Sequence, residues 1–180
     1  MEAVMRREGL PLYSLESKHL VREFDVLGIS LPYEQLYTNT LTFLELAGIP
    51  IFASERSAND PIVVSGGHAT YNPDPMADFI DAFVIGEGED AIVAIADTVR
   101  NWKLAGKPGG RLAVLQQIAQ LDGLYVPQFY EFDYHPDGTL AQVTTTDPAA
   151  QLPVLKTVVK QLPPPITRFL VPFVDTVHNR

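Results

Sequence analysis

Apolar residues follow two rhythms along this chain. Two short runs carry no polar interruption: Ile62-Val63-Val64, which enters Ser65-Gly66-Gly67-His68, and Ala82-Phe83-Val84-Ile85, which enters Gly86-Glu87-Gly88-Glu89. Such runs predict parallel strands covered on both faces. Elsewhere the apolar positions recur at helical spacing. Tyr33 to Ala47 carries Leu36, Leu41, Phe43, Leu44 and Leu46 and is closed by Gly48, and Asp90 to Leu104 carries Ile92, Ile95, Ala96, Val99 and Trp102. Both read as helices, as does Arg111 to Leu121. A short helix is expected over Glu2 to Glu8, stopped by Gly9-Leu10-Pro11, and another after Pro73 and Pro75, ending near Phe79.

Between these elements, Asp25 to Leu31 predicts a central strand, Ile49 to Ala53 a short one, and Ser54 to Asp60 a polar loop. Beyond Gly123 the pattern changes. Tyr125 to Tyr134 alternates and is rich in aromatics, His135-Pro136-Asp137-Gly138 forms a turn, and Thr139 to Thr146 is β-like, so a hairpin is expected. A last β-like run, Val154 to Val159, precedes the stiff spacer Pro163-Pro164-Pro165. The fold class is therefore α/β: an open parallel sheet with helices on both faces and a C-terminal β-hairpin appendage.

Composition narrows the function. A formal charge of -9, with only 13 Lys and Arg spread along 180 residues, argues against a surface that binds a nucleic-acid backbone. No run of about 18 apolar residues could span a bilayer, and the start, MEAVMRREG, lacks the apolar core of a signal peptide, so a cytoplasmic protein is expected. The chain has no cysteine, which excludes disulfides, a thiol nucleophile and a cysteine-held iron–sulfur cluster within these residues.

Ligands of open α/β sheets sit beyond the carboxyl ends of the strands, which would place Gly66, Gly67, Gly86 and Gly88 on one rim. Gly66-Gly67-His68 reads either as a backbone shelf under a flat cofactor or as a tight strand-to-helix turn. Glu87 reads either as a ligand for a hydroxyl at the strand end or, with Glu89, as an acidic residue favouring a helix N-terminus. The third glycine of a dinucleotide fingerprint is missing. Ser30, Tyr33, Glu34 and Asn39 fall where a strand turns into its helix, either as polar contacts on the same rim or as helix entry and core aromatics. A zinc site needs more than the lone His68. Asp74, Asp78 and Asp81 read as solvated acids beside a proline-led helix, and Tyr125, Phe129, Tyr130, Phe132 and Tyr134 as hairpin packing.

Three segments together carry a family likeness: LGISLPYEQLYTNTLTFLELAGIP followed by VVSGGHATYNPDPMADFIDAFVIGEGED, then YVPQFYEF, then LVPFVDTVHNR. They resemble the cobalamin-binding-like domain that precedes the catalytic barrel in a bacterial family of radical S-adenosylmethionine proteins. The likeness is strongest from about Tyr13 to Asp90. It implies a flavodoxin-like fold whose first strand is missing, organised as a partial cobalamin-binding-like domain over residues 1–122, a β-rich appendage over 123–162 and a linker toward an absent barrel over 163–180.

Cobalamin is the cofactor the likeness implies here, and Ser30, Leu31, Tyr33, Glu34, Gly66, Gly67, His68, Gly86 and Glu87 are the positions that would meet it. Ser30 matches the family's serine, although Leu31 follows it directly, and Gly66-Gly67 match its Gly-Gly turn. The cobalt-ligating histidine loop has no counterpart, and some members keep the fold without cobalamin, so a cofactor-free docking domain stands as the alternative. The four-iron cluster and S-adenosylmethionine would belong to the parent protein, with no catalytic or metal-ligating residue in this segment. The expected partner is the parent chain's own barrel. Loss of a first strand also predicts self-association through an exposed sheet edge.

Overall fold

The computed structural model describes residues 2–160. Its centre is β2, Ile62–Gly66, in which Ile62, Val63 and Val64 are all fully buried, so both faces of the sheet are covered at this strand. β1 (Val26–Ser30) lies parallel on one side of it and β3 (Ala82–Val84) parallel on the other, with Val26 opposite Ile62 and Val64 opposite Ala82. The fourth strand, β4 (Leu124–Tyr125), is antiparallel to β3 and completes the order β1-β2-β3-β4.

The helices follow their apolar spacing. α1 is Glu2–Glu8. After a short 3-10 turn at Glu34–Leu36, α2 (Tyr37–Ala47) buries Thr40, Leu44 and Ala47, and the Gly48 N–H donates back to its last turn. α3 (Glu89–Leu104) has acidic residues in its first turn and Lys103 in its last, in keeping with the helix dipole. Its core face runs through Ala91, Ile95, Val99 and Trp102, whereas Ile92, expected on that face, is 45% exposed and Ala96 is exposed as well. α4 (Gly110–Ala119) packs beside it through Val114, Leu115 and Ile118.

The hairpin is shorter than its sequence pattern predicts. β5 (Tyr130–Tyr134) pairs antiparallel with β6 (Leu140–Thr145), and Asp137 accepts hydrogen bonds from both the backbone and the hydroxyl of Thr139 at the turn. Tyr125, expected in the same hairpin, belongs instead to β4 in the main sheet. Burial decides this: Tyr125 is 7% exposed and stacks between Phe83, at 6.1 Å, and Tyr130, at 4.7 Å.

Two other strand expectations fail. Residues 49–53 form no strand, because a side chain takes the carbonyls that a neighbouring strand would need. Arg56 Nε donates to the Pro50 carbonyl at 3.0 Å and its Nη2 to the Ile51 carbonyl at 2.9 Å. The run Val154 to Val159 makes a single bridge, Thr157 opposite Gly86. Among the described residues β1 is an edge strand, not a central one, pairing with β2 alone. The triple proline and residues 163–180 lie outside the described residues.

The loop expected to be simply polar, and the aspartate expected to be solvated, form a buried ionic core. Asp81 Oδ2 accepts from Arg56 Nη1 at 2.9 Å, Arg111 Nη2 at 2.7 Å and the Val63 N–H at 2.7 Å. The side chains of Arg56 and Asp81 are 0% and 2% exposed. This carboxylate joins the 54–60 loop, the start of β3 and the first turn of α4. Isolated burial of any of the three charges would be strongly unfavourable, so each requires the others.

Candidate functional site

The carboxyl ends of β1, β2 and β3 bring most of the expected positions into one neighbourhood. At the first junction the Leu31 N–H donates to the Gly66 carbonyl at 2.7 Å, and the Leu31 carbonyl accepts from Ala69 at 2.9 Å. Gly67 sits at φ +115, and a Cβ built on it would lie 2.6 Å from the Leu31 oxygen. The glycine turn is therefore closed on the chain's own backbone. Leu31 itself is a core residue, 1% exposed. Thr70, also buried, ties the turn to β3: its hydroxyl lies 2.7 Å from the Gly67 carbonyl and 3.1 Å from that of Val84.

At the second junction a distant segment enters. The Thr157 N–H donates to the Ile85 carbonyl at 2.9 Å, and the Glu87 N–H donates to the Thr157 carbonyl at 3.0 Å. The Thr157 hydroxyl lies 2.6 Å from the Glu87 carbonyl, and the Glu87 carboxylate accepts from the Val159 N–H. Gly86, at φ +110, makes this approach possible, since a Cβ there would stand 2.3 Å from the Thr157 oxygen. A Cβ on Gly123 would meet the Thr157 methyl at 2.5 Å, so the threonine is held from two sides.

Two clefts stay open beside the seated segment, one of about 510 Å³ lined by Ala91, Gly123, Gln151 and Leu155 among others, and one of about 270 Å³ lined by Gly67, His68 and Gly86 among others; Glu87, Lys156 and Thr157 line both. Ser30, Tyr33 and Glu34 line neither. Tyr33 is about half exposed on the preceding turn, and Glu34 acts on its neighbour Tyr37, whose phenol is raised by burial first and by the Glu34 charge second. His68 has no companion ligands: no group of three or more His, Asp or Glu among the described residues could hold a metal ion. The sequence pattern missed Thr157 altogether. Its partners are about 70 residues away in the chain, and nothing local to Thr157 announces them.

A corrinoid would have to share both strand-end turns with this chain's own backbone. The Gly67 turn is filled by the backbone of Leu31 and the Gly86 turn by that of Thr157, which is hydrogen-bonded to Ile85 and Glu87.

A family model described as radical SAM proteins, N-terminal, matches residues 1–127. The chain belongs to this family. No curated protein and no solved structure matches it. The matched span ends just after β4, so it takes in the whole four-stranded sheet, while the hairpin and the segment that closes the rim fall beyond it. The family implies S-adenosylmethionine and a four-iron–four-sulfur cluster in the parent radical SAM protein. This segment, having no cysteine, supplies none of the thiolates such a cluster requires.

Proposed function

We propose that this radical SAM N-terminal domain is a cofactor-free docking module whose ligand rim is closed by its own residues 155–159. The carrying observation is the seat of Thr157 against Gly86, with backbone hydrogen bonds to Ile85 and Glu87 on either side. β1, β2 and β3 run parallel in sequential order, as strands 3, 4 and 5 of a flavodoxin-like sheet do, and on that descent a corrinoid-binding surface at the strand ends would have been reused as a socket for peptide. The module does no chemistry itself. Its partner is the barrel of its own parent chain, and the apolar side chains of Leu155 and Val158, 71% and 59% exposed on the docked segment, are offered to it. We place the protein in the cytoplasm, with which a chain free of disulfides is compatible; no described helix is long and apolar enough to cross a membrane.

The test is a titration with hydroxocobalamin followed by gel filtration. The expected result is no corrinoid absorbance in the protein fraction. Stoichiometric retention would overturn the reading in favour of a cobalamin cradle.

A second expectation concerns β1. Its ladder to β2 uses the backbone of Asp25, Leu27, Ile29 and Leu31, so the N–H and C=O groups of Val26, Gly28 and Ser30 point outward. Gly28 and Ser30 are exposed, and nothing lies within 4 Å of a Cβ built on Gly28. Among the described residues nothing pairs with this edge, and such an edge is a template for pairing with another copy. Light scattering is expected to show a concentration-dependent dimer that Gly28→Lys abolishes; a monomer at all concentrations refutes edge pairing.

A further inference from the structure

Away from the rim, a larger cleft of about 640 Å³ opens between the β5–β6 hairpin and the 52–54 and 74–78 turns. Its lining combines aromatic and acidic side chains: Phe52, Tyr125 and Phe132 on one hand, the exposed Asp74, Asp78 and Glu131 on the other. A second cleft of about 260 Å³ shares Asp74, Tyr125, Tyr130 and Phe132 with it. No Lys, Arg or His lines either one, and none of the three carboxylates forms an ion pair with the described residues. No residue of the rim clefts takes part.

The decisive group is Tyr125. The residue is 7% exposed, yet its hydroxyl is buried without a hydrogen-bond partner. Its neighbour differs: the Tyr130 hydroxyl donates to the Gln151 carbonyl at 2.6 Å and is satisfied. A buried phenol left unpaired costs stability, and such groups in native proteins usually have a partner. Burial raises the Tyr125 phenol strongly and the nearby Asp74 charge raises it further, so it stays protonated with both lone pairs available to a donor. Aromatic faces beside unpaired carboxylates attract positive charge.

We propose that this cleft binds a small organic cation, an ammonium or guanidinium head on an apolar body. The head pairs with the Asp74 carboxylate and, by displacing the side chains that cover the buried Tyr125 oxygen, donates to that hydroxyl, while the body lies against Phe132 and Phe52. The cation offers the Tyr125 oxygen a donor, and the exposed carboxylates admit it from solvent.

The experiment uses 2-phenylethylammonium as the probe, with 2-phenylethanol and 3-phenylpropanoate as its neutral and anionic counterparts, followed by the ring resonances of Tyr125 and Phe132 in NMR titrations of the full chain. Saturable shifts are expected with the ammonium alone. Tyr125→Phe is expected to weaken binding about ten-fold, the loss of one hydrogen bond, while raising the melting temperature by about 2–4 °C because the unpaired hydroxyl is gone. Asp74→Asn weakens binding without changing the neutral probe's behaviour. Equal binding of the three probes, no saturable shift with any, or an unchanged affinity in Tyr125→Phe would each overturn the proposal.

Discussion

Replacing Asp81 by alanine is expected to destabilise this domain by about 3–5 kcal/mol, the usual cost of leaving buried charge uncompensated. Two guanidinium groups lose the one carboxylate they pair with among the described residues. Arg56 is fully buried and would keep only the carbonyls of Pro50, Ile51 and Phe79. Arg111, 10% exposed, would keep those of Ser57, Asp60 and Pro61, and its Nε already lacks a partner. The Val63 N–H in the central strand would lose its acceptor as well. Fluorescence of Trp102, the single tryptophan and a buried one, gives the readout: the urea midpoint should fall by about 1–2 M with little change in slope. The exposed Arg6–Glu45 pair is the control, and Glu45→Ala should leave the midpoint in place. If Asp81→Ala behaves like that control, the triad is not the buried structural core described above.

Gly86→Ala has the second-largest expected effect, and it separates rim closure from folding. The new Cβ would stand 2.3 Å from the Thr157 oxygen, and alanine would also have to adopt φ +110. Strain of this kind costs about 1–3 kcal/mol, and release of residues 155–159 is the simplest way to remove the clash. Hydrogen exchange should show the Thr157 and Val159 amides losing protection by ten-fold or more while amides of Ile62–Gly66 in β2 keep theirs. Gly88→Ala, two residues along the same loop, meets no atom within 4 Å and has ordinary φ, so it should change neither. Retained protection at Thr157 in Gly86→Ala would mean that the segment is not seated by this glycine. The same variant bears on the docking proposal, because an opened rim that then retained corrinoid would show the socket to be a former cofactor site held shut.

The sheet was legible in the sequence where burial is two-sided. Ile62-Val63-Val64 and Ala82-Phe83-Val84 read as parallel strands because a strand covered on both faces has no reason to alternate. The long helices were legible too, and the end of α2 at Gly48 and the acidic start of α3 at Glu89 are local signals, although α2 begins at Tyr37, four residues past its expected start, and α4 ends at Ala119, two short of Leu121. The α3 stripe was misread at two positions, Ile92 and Ala96, both exposed, while Ala91 is buried: apolar character favours burial on average, but the angle at which the helix meets the sheet decides.

Asp81, Arg56 and Arg111 were not legible as a unit. A charge looks solvated in sequence unless its partners are known, and these partners are 25 and 30 residues away. The rim divides in the same manner. Glycines at 67 and 86 announced that something approaches the backbone closely, but a glycine says only that space is required, not what fills it. Local sequence thus determined the strands, the helices and the place where close approach would occur, because propensity, periodicity and turn chemistry act over a few residues. Only the tertiary structure decided that Leu31 and Thr157 of this chain occupy those positions, because nonlocal hydrogen bonds and ion pairs exist only once the chain has closed on itself.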